Sequence, residues 1–295
     1  MKTVLSIAIA LFWSYLSSPL FAAEEPPSDR AAVLAQAERD FAALSVSEGM
    51  KPAFMEFLAD SGIVFRPHPV NGKRATADRP NPKITLDWVP AFADVASDED
   101  LGYTTGPWIV TDRSGQNRPP VYGTYLSVWK KQPDNEWKVV LDIGTSGPPY
   151  VGALKDVRTA FPMQANDVKK EANRGLQVLL TLDRGFSQRE GTTKAYLSYA
   201  AKDIRLIREG EFPVAGSDSA STYLSNLQAR VSFDPIAGDL SSAGDLGYTY
   251  GTYQLHRGAD EEEGTETGYY VHIWKKQQDS SFKLVVDLLT PVPEE

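Results

Sequence analysis

The stretch Asp100-Leu-Gly-Tyr-Thr-Thr-Gly106 returns 145 residues later as Asp245-Leu-Gly-Tyr-Thr-Tyr-Gly251, identical at six of seven positions. The same offset lays Gly123–Asp142 on Gly268–Asp287, where ten of twenty positions agree. Among them are Tyr125/Tyr270, Trp129/Trp274, the Lys-Lys-Gln after each tryptophan, and Asp142/Asp287; Pro90 falls on Pro235. One offset held over so many positions marks an internal duplication. Two copies are too few for a solenoid, whose repeats bury their ends only by stacking three or more. The chain therefore reads as two related globular domains.

Each half carries the same order of elements. Val33, Leu34, Ala37, Phe41 and Leu44 recur at helical spacing, as do Val168, Ala172, Leu176, Leu179 and Phe186. A second helix follows at Ala53, Phe54, Phe57 and Leu58, and at Ala195, Tyr196, Tyr199 and Ala200. Next come a strand (63–66 and 204–208) and a Pro-Val-x-Gly turn (69–72 and 213–216). The remainder is strand-like: 84–96, 100–111, 120–131 and 136–144, then 226–237, 246–257, 267–277 and 281–290, parted by Gly, Pro, Asp and Asn. Helices followed by a run of antiparallel strands give an α+β class, with helices on one face of a curved sheet. Tyr125 and Trp129 alternate with Leu126 and Val128; in the copy, Tyr270 and Trp274 alternate with Val271 and Ile273. Both sheet faces are apolar, whereas an antiparallel sheet with a solvated face alternates apolar with polar. Helices cover one face. The sheet of the other half is expected on the second, making an intrachain pseudo-dimer.

The division is 1–23 signal peptide, 24–147 first domain, 148–162 linker and 163–295 second domain. Met1-Lys2 precedes an uncharged segment, 3–23, that is apolar from Val4 to Leu16, is broken by Ser17-Ser18-Pro19 and ends in Ala22-Ala23. That is the layout of a secretory signal; the alternative is an uncleaved anchor, since 3–23 is just long enough to span a bilayer, and the Ser-Ser-Pro break favours cleavage. An exported protein, periplasmic or secreted, is expected, with no membrane association once the signal is removed. The 295 residues include no cysteine and three histidines. Disulfides, thiolate zinc sites, Fe–S clusters and thiol nucleophiles are excluded, and neither a metal nor a cofactor is expected. A net charge of −9 supplies no basic footprint for nucleic acid. Without disulfides, stability rests on the cores and on domain packing.

Phe57-Leu-Ala-Asp60, Val64-Phe-Arg-Pro67 with Pro69-Val-Asn-Gly72, Asp100–Gly106, and Tyr125–Asp134 with Trp137–Asp142 resemble the SnoaL-like, nuclear transport factor 2-like superfamily. The resemblance is to a branch of unknown function, here in tandem. It implies two cone-shaped domains, each with N-terminal helices on a strongly bent sheet (cystatin-like), and an apolar pocket at the open end. The superfamily hosts isomerases, cyclases, dehydratases and plain binding modules, so the fold does not decide the function. Ketosteroid-isomerase-like members place a carboxylate base on the strand after the second helix. In this chain Arg66 and Arg208 stand at or beside that position, and a guanidinium cannot abstract a proton. They read as anchors for an anionic ligand, or as ion-pair partners of Asp142 and Asp287.

The remaining candidates come from residue type and setting. Asp142 and Asp287 lie in otherwise apolar strands, where desolvation suits a carboxyl group to acid–base work or demands a partner. His272, which replaces Ser127 in the second copy, could pair with Asp287. Trp88, Tyr103, Tyr125, Tyr248 and Tyr270 are the aromatic candidates for pocket walls. Asp260-Glu-Glu-Glu263 lacks calcium-loop spacing and reads as a solvated hairpin tip. The leading expectation is an exported binder of a small apolar or anionic molecule, without catalysis. The alternatives are an acid–base enzyme using Asp142, Asp287 or His272, and a scaffold for an exported partner.

Overall fold

A computed structural model describes residues 29–150, 157–159, 172–188, 193–227, 229–257 and 265–292. The signal segment 1–23, most of the expected linker, Val168 and the acidic run 260–263 lie outside the described residues.

The first half opens with α1 (Asp29–Ser47) and α2 (Met50–Phe57). Leu34, Ala35, Glu38, Phe41, Ala42 and Ser45 form the buried stripe of α1. Gly49 turns the chain between the helices at φ +104°, a conformation glycine adopts without strain. Then come β1 (Leu58–Phe65), β2 (Pro69–Asn71) and α3 (Gly72–Ala77). The expected turn at 69–72 is thus a short strand running into a helix, started by Asn71 accepting from the Arg74 amide at 2.9 Å. The strands β3 (Ile84–Trp88), β4 (Phe92–Val95), β5 (Leu101–Asp112), β6 (Val121–Lys131), β7 (Trp137–Gly147) and β8 (Arg158–Thr159) complete this half.

The second half has α4 (Ala172–Gln188), α5 (Thr193–Tyr199), β9 (Ala200–Ile207), β10 (Val214–Ala215), α6 (Ser217–Leu227), β11 (Ala229–Leu240), β12 (Leu246–Arg257), β13 (Thr265–Lys276) and β14 (Phe282–Pro291). The two sheets share one plan: β2-β1-β7-β6-β5-β4-β8, with β3 also on β5, and β10-β9-β14-β13-β12-β11. The fold is α+β, two tandem units with helices packed on a bent, mainly antiparallel sheet. One expected strand, 84–96, is two. Proline cannot donate to a ladder, and pairing lapses around Pro90 between β3 and β4; at Pro235 the longer β11 absorbs the same break as a register shift. No described helix is long and apolar enough to cross a membrane.

Each sheet buries both faces. On the helix side of the first, Leu34, Phe41, Phe54, Trp88, Tyr125 and Trp129 form one core. The corresponding core of the second contains Leu179, Phe186, Tyr196, Phe233, Tyr270 and Trp274. A third core lies between the sheets, where Leu126, Val128, Leu141 and Ile143 meet Tyr250, Val271, Ile273 and Leu288.

The polar contacts around this shared core come in exchanged pairs. Lys130 binds Asp239, and Lys275 binds Asp94 at 2.6 Å. Asp100 accepts from the Ser242 amide at 2.8 Å, and Asp245 from the Ser97 amide at 2.9 Å. Each contact recurs with the roles of the halves swapped at the 145-residue offset. That is the signature of an isologous, two-fold-like interface.

Candidate functional site

The helix side of the first sheet encloses a cavity of about 540 Å³. Its walls come from elements that must turn apolar side chains inward. These are Phe41 of α1, Met50 and Phe54 of α2, Leu86 and Trp88 of β3, and Trp108 of β5. Tyr125 and Ser127, two apart on β6, share one face by strand alternation. Asp142 sits opposite Ser127 on β7. At the mouth, Arg66 and Pro67 meet Glu209, Thr290 and Pro291 from the other half.

Asp142 is the polar centre. It is half-buried, and Ser127 Oγ donates to its Oδ1 at 3.0 Å. Burial raises its pKa to about 6, against the lowering pull of Arg66 and the Ser127 hydrogen bond. Arg66 is exposed, donates to the Phe65 carbonyl oxygen at 2.9 Å, and makes no ion pair among the described residues. The buried Tyr125 hydroxyl has no hydrogen-bond partner among the described residues. Burial, with the charge of Glu38 nearby, holds its pKa well above that of a free phenol.

Glu38 was not among the sequence candidates. It is fully buried on α1 and accepts from Trp88 Nε1 at 2.5 Å, from Trp129 Nε1 at 2.7 Å and from Thr104 Oγ1. Burial lifts its pKa to about 7, only partly offset by those donors. The signal was available, because a glutamate on the apolar stripe of α1 between Leu34 and Phe41 must find partners.

The second half fills the corresponding space. Its register makes Asp287 the counterpart of Asp142, His272 that of Ser127, and Arg208 that of Arg66. Arg208 donates to Asp287 through Nη1 at 3.2 Å and Nη2 at 2.6 Å, and the Tyr196 hydroxyl also donates to Asp287. His272 lies 2.8 Å from Asp183 through Nδ1 and 3.5 Å from Asp287 through Nε2. The Tyr270 hydroxyl donates to Asp183 at 3.0 Å. The two acids, chiefly Asp183, raise His272 to about 9 despite its burial, so the ring is an imidazolium at neutral pH. Burial would raise the Asp287 carboxyl, but Arg208 and His272 hold it well below the usual range. Neither His272 nor Asp287 has any exposed surface.

The sequence candidates therefore separate. Arg66, Trp88, Tyr125 and Asp142 come together at the first cavity. Tyr270, His272 and Asp287 sit in the filled second core, and Arg208 is committed to Asp287 while edging a smaller polar cavity of about 270 Å³. Tyr103 and Tyr248 belong to neither helix-side core. Pairing of Tyr103 with Val128, and of Tyr248 with Ile273, turns both tyrosines to the face between the sheets. Among the described residues, no group of three or more Asp, Glu or His is placed to hold a metal ion.

No protein-family model and no curated protein matches this chain. Solved structures do, each over a span close to one half. A ketosteroid isomerase-like protein from Erwinia carotovora atroseptica SCRI1043 is 8% identical, covers 42% of this chain and 95% of its own, and gives a TM-score of 0.34. A nuclear transport factor 2-like superfamily protein from Salmonella enterica serovar Typhimurium LT2 is 15% identical, with 43% and 96% covered and a TM-score of 0.34. An NTF-2-like protein of unknown function from Shewanella oneidensis MR-1 is 18% identical, with 38% and 94% covered and a TM-score of 0.30.

Proposed function

We propose that this chain is an exported, fused pair of nuclear transport factor 2-like domains. The first binds a small, mainly apolar molecule, and the second is its structural partner. The observation that supports the binding role is the contrast between equivalent positions. In the first half they surround a 540 Å³ cavity, within the range of small-molecule sites. In the second they are filled by Tyr196, His272 and paired charges. An anionic ligand held by Arg66 is the weaker form of this reading, because Asp142 and Glu209 also face the cavity.

The test is titration of the full mature chain with an apolar fluorophore such as Nile red. Phe54→Tyr with Ser127→His rebuilds the second half's filling in the first. The wild type should take up one fluorophore per chain, and the double variant should bind at least tenfold more weakly. Equal binding by both, or none by the wild type, defeats the binding reading. Export is tested by the mass of the chain recovered outside the cytoplasm, which should lack a segment near residues 1–23.

A second reading is favoured by Asp142 itself. A half-buried carboxyl titrating near 6 beside an unpartnered phenol can serve as an acid–base group. If a reaction is found, Asp142→Asn should remove it. Turnover that survives the substitution ends that reading.

A further inference from the structure

The two halves place similar groups around the same point, and differ there at Ser127 against His272 and at Phe54 against Tyr196, whose hydroxyl donates to Asp287. In the second, the His272 ring lies between two carboxylates, Asp183 and Asp287. Aromatic rings enclose it, with Phe233 at 4.6 Å and Tyr270 at 4.4 Å between centroids. In the first, the 145-residue offset gives Glu38 and Asp142 for the acids, and Trp88 and Tyr125 for the rings. Where the second half has an imidazole, the first has the short side chain of Ser127, and the cavity opens there.

Charge follows the same pattern. In the second half, Arg208 and a protonated His272 offset Asp183 and Asp287. In the first, Asp142 has the exposed Arg66 nearby, and neither Glu38 nor Asp142 makes an ion pair among the described residues. Glu38 is served internally by two indole N–H groups and a hydroxyl. Among the described residues Asp142 has one hydrogen-bond donor, Ser127. A carboxyl group short of donors, walled by tryptophan and tyrosine faces, suits a cation whose N–H groups meet the acid and whose charge meets the rings. A carboxylate ligand would instead face Asp142 and Glu209.

We propose that the first-domain cavity selects an organic cation, an amine or related N–H-bearing base on a flat apolar body, with its nitrogen at Asp142 where the His272 ring stands in the other half. This rests on the binding role proposed above. The experiment uses the full mature chain at pH 7.5 and three naphthalene probes of matched size: 2-(2-naphthyl)ethylamine, 2-naphthaleneethanol and 2-naphthylacetate. Affinities are read by isothermal titration and by quenching of tryptophan fluorescence.

The amine should bind at least tenfold more tightly than the alcohol, and the acetate more weakly than either. Asp142→Asn should erase the amine's advantage over the alcohol, and a cooperative urea transition like the wild type's shows that the variant folds. An amine no tighter than the alcohol overturns the assignment, as does an advantage that survives Asp142→Asn. Binding of the alcohol or acetate alone overturns only the cation preference. Failure of all three probes and of Nile red overturns the binding role as well.

Discussion

The exchanged ion pairs between the halves offer a controlled comparison of burial. Lys275–Asp94 and Lys130–Asp239 join the same residue types at equivalent places. The first is 12% and 8% exposed, the second 34% and 37%. Lys275→Met would leave Asp94 with only the Val95 amide as a hydrogen-bond donor, at 3.0 Å. Burial already raises the pKa of Asp94 with Lys275 in place. Stranding one member of a buried pair costs about 3–5 kcal/mol. Lys130→Met breaks a pair whose charges are partly solvated and should cost about 1 kcal/mol, well below the buried pair.

Urea unfolding at pH 7.5, followed by tryptophan fluorescence, measures both. The shared core between the sheets predicts one transition for the two domains. Lys275→Met with Asp94→Leu should regain most of the loss, since no charge is then stranded. The Lys275→Met penalty should also shrink toward pH 5. A carboxyl whose folded pKa is raised favours the fold at low pH and opposes it as pH rises through that value. Equal costs for the two lysines, or a double variant weaker than Lys275→Met alone, would refute the role given to burial.

Arg208→Met should cost about 3–5 kcal/mol in the same assay, because Asp287 has no exposed surface and loses two guanidinium bonds at its carboxylate and one at its backbone carbonyl oxygen; a loss under 1 kcal/mol (about a fivefold change in the folding constant) would contradict this. Asp142 carries a pKa raised from 3.8 to about 6, with Arg66, Glu38 and Tyr125 the charged or titratable groups facing it. Its contribution is complete below pH 3.8 and falls by about 3 kcal/mol as pH passes 6, so Asp142→Asn should flatten the stability curve between pH 4 and 7, and an unchanged curve would count against the shift. Gly123→Ala would place a methyl group 1.9 Å from the Thr145 carbonyl oxygen and 2.4 Å from the Trp108 ring. Because Trp108 walls the cavity, this variant should lose about 1–3 kcal/mol from overpacking together with probe binding; intact Nile red uptake would show that Trp108 is not needed.

Much of the fold could be read because its signals are periodic. The repeat, the helix-then-strand order and the apolar residues on both faces of 121–131 are all properties of spacing. The site was harder, since it depends on register and on volume. Tyr103 and Tyr125 look alike in sequence. Only the pairing of Tyr103 with Val128 and of Tyr125 with Gly106 sends one between the sheets and the other to the cavity. Which cone is open turns on Ser127 against His272 and Phe54 against Tyr196, differences of a few atoms that no periodicity records. The short helices α3 and α6 escaped notice because six and eleven residues carry too few apolar positions to show a period.

The stretch that revealed the duplication is also the part with least bearing on the cavity. Asp100 and Asp245 bind across the interface, and Tyr103 and Tyr248 fill it. A Cβ on Gly106 of β5 would fall 2.0 Å from the Val89 carbonyl oxygen between β3 and β4, and one on Gly251 of β12 2.0 Å from the Asp234 carbonyl oxygen of β11. In an isologous contact each pair of residues recurs with the halves exchanged, so a change in one half disturbs geometry that both halves use. The polar contacts across the interface are accordingly kept in both copies. The helix-side cores keep Tyr125/Tyr270, Trp129/Trp274 and Asp142/Asp287, but differ at Trp88 against Phe233, Glu38 against Asp183 and Ser127 against His272. One half could then exchange its cavity for an imidazolium and its ion pairs while the other kept its space open. Within this chain the frame of Tyr125 and Asp142 is common to both halves, and Ser127 against His272 with Phe54 against Tyr196 separates the open cavity from the filled core.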